Sequence, residues 1–152
     1  MSLSRIAFLS ASLLVLAPLT WAQRSAAVEP QTATTYTGKF VYEFTLSIES
    51  TISTSVPIYC YGKASTSDGL NTLTESGSVT ATRSGSTATC TVTLPYSWAL
   101  TDPSSDKVTL SFQIIADTNL VTPPVREVDH QLGEIAIPAN GATSTEKITV
   151  VM

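Results

Sequence analysis

Few side chains in this sequence are of the types that do chemistry, and their spacing narrows the choice further. One histidine occurs, His130, beside Asp129. Acyl transfer by a triad needs a nucleophile, a base and an orienting carboxylate brought together. Serines are plentiful, but no Gly-x-Ser-x-Gly turn is present to expose one. His130 therefore reads as a solvated loop residue, and no catalytic role is expected.

Metal chemistry fares no better. A zinc or copper site usually takes three or four Cys and His ligands, and the chain has two cysteines and one histidine. Asp102 with Asp106, Asp68 with Asn71, and Asp117 with Asn119 could offer oxygen ligands to calcium, yet none follows EF-hand spacing. Asp and Asn are ordinary turn residues. Glu43 and Glu49 share one face of a strand but lie roughly 20 Å apart along it, too far to act as a glycosidase pair. No cofactor and no metal are expected.

What remains is the cysteine pair and the aromatics around it. In Ala88–Trp98, Cys90, Val92 and Leu94 share one face while Thr89, Thr91 and Thr93 share the other. That alternation is the mark of a half-buried strand. Val56, Ile58 and Cys60 alternate in the same way. A Cys60–Cys90 disulfide joining two inward faces follows, and an exported chain with two cysteines most often carries one bridge. Closing a loop of about 30 residues contributes roughly 3–4 kcal/mol in the chain-entropy model. Tyr59, Tyr61, Tyr96 and Trp98 flank the two cysteine strands and are the candidates for a binding face. Tyr59 and Tyr61 fall opposite Cys60, and an exposed face there offers a platform for a sugar ring or a protein.

Export is read from the first residues. Ile6–Leu19 is apolar apart from two serines, and Thr20-Trp21-Ala22 carries small residues where a signal peptidase reads them. Residues 1–22 are expected to be a signal peptide, too short to span a membrane. Residues 23–35 then form a flexible lead-in and 36–152 one β domain. The net charge is −4, with no cluster of Lys and Arg, so nucleic acid and anionic membrane are poor partners. The expected location is secreted or periplasmic.

Along the domain, Phe40, Tyr42, Phe44, Leu46 and Ile48 alternate with Val41, Glu43, Thr45 and Ser47. Val108, Leu110, Phe112 and Ile114 mark another strand, and Ile148, Val150 and Met152 the last. Asp68-Gly69, Ser84-Gly85-Ser86, Asp102-Pro103 and Asn140-Gly141 supply turns. About seven strands without a helix predict an antiparallel β-sandwich, loosely immunoglobulin-like, with one disulfide. The likeness is architectural, because Trp98 follows both cysteines instead of lying between them. Thr118–Gly133 lacks periodicity and reads as a contact loop stiffened by Pro123 and Pro124, with Arg126, Glu127, Asp129 and His130 for polar specificity. The functional expectation is a non-catalytic, exported protein that binds an unknown protein or glycan, or assembles. The alternatives are a pilus-type subunit and a carbohydrate-binding module. A donor strand for a pilus needs large apolar residues, and Gln23–Thr35 offers only Val28 and alanines besides polar groups.

Overall fold

The alternation from Phe40 to Ile48 does what its period demands. In a computed structural model, which describes residues 32–69, 71–117 and 124–152, Phe40, Tyr42, Phe44, Leu46 and Ile48 are all buried and Glu43, Thr45 and Ser47 face solvent. The expected signal peptide, most of the lead-in and Pro123 lie outside the described residues. The strands are β1 (Thr34–Ser47), β2 (Ile58–Asp68), β3 (Asn71–Thr80), β4 (Thr82–Ser84), β5 (Thr87–Leu100), β6 (Lys107–Ala116), β7 (Arg126–Ala136) and β8 (Thr143–Val151).

They form two four-stranded sheets. Sheet A has the order β4-β5-β1-β8 and sheet B the order β3-β2-β6-β7. All neighbours are antiparallel except β1 and β8, which run parallel with Phe44 beside Ile148. The expected sandwich is therefore present, with eight strands among the described residues. Its core is the meeting of the two inner faces. Phe44 of β1 meets Phe112 of β6 edge-on, ring centroids 5.5 Å apart, a geometry aromatic quadrupoles favour. Cys60 of β2 and Cys90 of β5 are bonded across the sheets, their Cα atoms 6.6 Å apart. Tyr42 lies on Gly62, where an added Cβ would sit 2.9 Å from the ring. Its hydroxyl donates to the Lys63 carbonyl at 2.6 Å. Burial pushes the Tyr42 phenol well above its ordinary range, with a smaller push from Glu146.

One reading of the sequence is corrected, and two connections take forms that the alternation does not reveal. Asp68-Gly69 turns the chain as expected, with Gly69 at φ +60°, and the strands on either side of it, β2 and β3, are long. Those strands turn small residues inward, Gly62 and Ala64 on β2 and Gly77 on β3, so they lack an apolar stripe. Thr80 ends β3 in sheet B and Thr82 begins β4 in sheet A, with Ala81 between them donating its N–H to the Ile58 carbonyl. Most consequential, Arg126–Gly133 is not a loop but most of β7. Leu110 faces Gly133 and Ser111 faces Gln131, so Leu132 is an extra residue in a β-bulge. The bulge moves the inward phase from Val128 to Ile135, and that phase change erased the period of two. Of the expected loop, 118–123 lies outside the described residues.

Candidate binding face

The aromatic residues flanking the cysteine strands divide between two environments. Tyr96 and Trp98 share the inward parity of Cys90 on β5 and are 4% and 3% exposed. Their rings lie 4.7 Å apart, and Phe40 stacks on Tyr96 at 4.8 Å. Trp98 donates its indole N–H to Glu75 at 3.2 Å. The Tyr96 hydroxyl is buried with no hydrogen-bond partner among the described residues, and burial raises its pKa. Both residues are core, so the expectation that all four aromatics form one face is corrected. The parity already visible in Cys90, Val92 and Leu94 carries through to 96 and 98 and was the available signal.

Tyr59 and Tyr61 point the other way and are half-buried on the outer face of sheet B. The registers place Ser78, Tyr61, Gln113 and Asp129 in one row across the four strands. The next row holds Ser76, Lys63, Ser111 and Gln131. On the other side of the Tyr61 row, Thr80, Tyr59, Ile115 and Glu127 align. Gln113 donates its side-chain amide to the Glu127 carboxylate, which holds the Gln113 side chain in place. The Tyr61 and Lys63 rows line a shallow trough of about 680 Å³. It combines one phenol ring with amides, hydroxyls, a carboxylate and an ammonium group, and so offers donors and acceptors beside a stacking surface.

The expected contact residues are reassigned by their strand. Glu127 and Asp129 belong to the outer face of sheet B. Arg126 and His130 have the opposite parity, although both are solvent-exposed at the sheet edge. The His130 ring leans on Phe112 with centroids 6.0 Å apart. Because successive strand residues point to opposite faces, Asp129 and His130 do not form a dyad despite being adjacent. Pro124 is half-buried just before β7.

At one end of the sandwich three carboxylates gather. Asp68 accepts from the backbone N–H and hydroxyl of Thr101. Asp102 accepts from Ser104 and Ser105, which lowers its pKa. Asp106 has one buried, unpartnered carboxylate oxygen, and desolvation with its neighbours Asp68 and Asp102 raises its pKa. Among the described residues no group of three His, Cys, Asp or Glu side chains is placed to hold a metal ion. No helix long and apolar enough to cross a membrane occurs among the described residues.

Fold and site define an all-β sandwich whose two sheets are tied by one disulfide. Compared with known protein families, curated proteins and solved structures, the chain matches none.

Proposed function

We propose that the protein is an exported, non-catalytic binding module that takes a hydroxyl-rich oligosaccharide in the trough on the outer face of sheet B. The observation carrying this reading is the row Ser78-Tyr61-Gln113-Asp129. A sugar ring stacks its C–H face on a phenol while its hydroxyls exchange hydrogen bonds with amide and carboxylate groups. A sheet holds such groups at fixed spacing, so little ordering entropy is lost on binding. The inter-sheet bridge and the signal-like leader support export, to the secreted or periplasmic compartment. Two four-stranded sheets suit a loosely immunoglobulin-like sandwich, although the parallel β1–β8 pair departs from a purely antiparallel plan.

A glycan array tests this. The wild-type protein should retain a family of oligosaccharides, and Tyr61→Ala and Gln113→Ala should each lose that retention while staying folded. An array with no retained glycan rejects the reading.

Assembly is the second reading, and one observation favours it. β8 is an edge strand of nine residues without proline, glycine or bulge, a template for pairing with another chain. Native mass spectrometry across a concentration series decides it: oligomers that disappear in Thr145→Pro support assembly through β8, and a strict monomer rules it out.

A further inference from the structure

Sheet A presents a second outer face, of a different kind. The registers align Thr82, Thr89, Thr45 and Thr149 in one unbroken row across β4, β5, β1 and β8. Thr91 and Thr93 follow along β5, and Thr93 opens a row with Val41 and Thr145. All six threonines named here on β4, β5 and β8, and Thr45 on β1, are exposed. Their hydroxyls make no hydrogen bond to protein among the described residues. Strand geometry spaces the rows by ~6.8 Å and neighbours within a row by ~4.8 Å. Threonine is branched at Cβ and confined to few rotamers, so the methyl and hydroxyl groups repeat with the backbone.

A face that repeats in two dimensions selects a ligand that also repeats. Charge on this lattice is confined to Lys39, Glu43 and Lys147, which gives little to steer a charged polymer. No aromatic ring lies on it, so a crystalline polysaccharide would find no stacking surface. Hydroxyls that both donate and accept, alternating with methyls that order adjacent water, suit ordered water itself. We propose that the outer face of sheet A binds ice, through the lattice centred on the Thr82-Thr89-Thr45-Thr149 row. Neighbouring strands in a sheet rotate by roughly 20–25°, which confines the match to a small patch. The expected activity is therefore arrest of ice recrystallisation and not a large depression of the freezing point.

The test uses the purified mature protein with its disulfide intact, in a thin frozen film held just below melting, with serum albumin at equal concentration as the control. Ice grains should stay small with the wild type. Thr89→Arg, at the centre of the row, should require about tenfold more protein for the same arrest, as disruption at an interface centre does. Thr74→Arg, on the outer face of sheet B, should act like the wild type. Thr149→Arg on the edge strand repeats the test should Thr89→Arg fail to fold. Wild-type grains that coarsen as in albumin overturn the proposal. So does arrest that survives both arginine variants, or retention on crystalline chitin or cellulose with no effect on ice.

Discussion

The two outer faces are built on the same scaffold yet sort their residues differently. Sheet A shows solvent a repeated threonine lattice with three charges and no ring. Sheet B shows a mixed surface, in which Tyr59, Tyr61, Lys63, Gln113 and Asp129 each occur once in a defined place. Both arrangements satisfy the pleat, because either kind of side chain can stand on a half-buried strand. Strand formation alone therefore does not explain the difference. A uniform lattice suits a partner that repeats, and a mixed surface suits a partner with one shape.

Both faces stand on one core, and breaking that core should abolish both together. Trp98→Ala removes a ring packed against Phe40 and Tyr96 and the donor to Glu75. Such a truncation costs about 3–5 kcal/mol. Denaturant titration should show that loss, with glycan retention and ice activity falling in parallel. One activity surviving alone would show that the faces do not share a single folded state.

Tyr61→Ala should instead separate them. It should abolish glycan retention and change stability by less than about 1 kcal/mol, since the ring is only half-buried. Ice-grain arrest should be unaffected. Loss of ice activity in this variant would mean that one surface serves both ligands.

The converse change should sharpen sheet A. Glu43 and Lys147 interrupt the lattice in the Thr91 row. The double substitution Glu43→Thr with Lys147→Thr completes that row. It should lower the protein concentration needed for ice arrest several-fold and leave glycan retention unchanged. A weaker arrest would count against the lattice as the binding element.

The smallest effect concerns acid. Asp106 has its pKa raised by burial and by Asp68 and Asp102. Its favourable contribution is complete below the unfolded value and is lost as pH rises through the folded one. At neutral pH the ionised group is thus a liability, and Asp106→Asn should raise Tm by no more than about 2 °C. That gain should vanish in acid, where the carboxyl is neutral in the folded and the unfolded chain alike. Asp102 runs the other way, because its lowered pKa gives stability that disappears as pH falls. Thermal scans from acid to neutral pH check both signs.

Much of this architecture was legible where large apolar residues alternate with polar ones. β1, β5 and β6 could be read from Phe40–Ile48, Cys90–Leu94 and Val108–Ile114, and the bridge followed from the matched parity of Cys60 and Cys90. The hairpin of β2 and β3 was obscure because Gly62, Ala64 and Gly77 occupy its inward face. Small residues are required there: an added Cβ on Gly77 would meet Leu94 at 2.9 Å. β7 was hidden by a single extra residue at Leu132. The candidate binding face was half visible. Tyr59 and Tyr61 were placed outward from parity, but their companions Gln113 and Asp129 come from strands distant in sequence, and only sheet pairing brings them alongside. The threonine row is likewise a product of register, since its four members come from four strands.

The parallel pairing of β1 with β8 has a mechanical consequence. The two strands are matched from Lys39–Thr143 to Ser47–Val151, so the start of β1 and the end of β8 lie at opposite ends of the shared ladder. Tension applied between those ends slides one strand along the other. The ladder's hydrogen bonds then bear the load together, instead of opening one after another as they do when a hairpin is peeled from its tip. Met152, fully buried just after β8, and its backbone bonds to Ser47 and Glu49 add a clasp at the pulled end. A domain held by its two ends would therefore resist extension far better than its modest size suggests, and it would yield by sudden rupture instead of gradual unravelling.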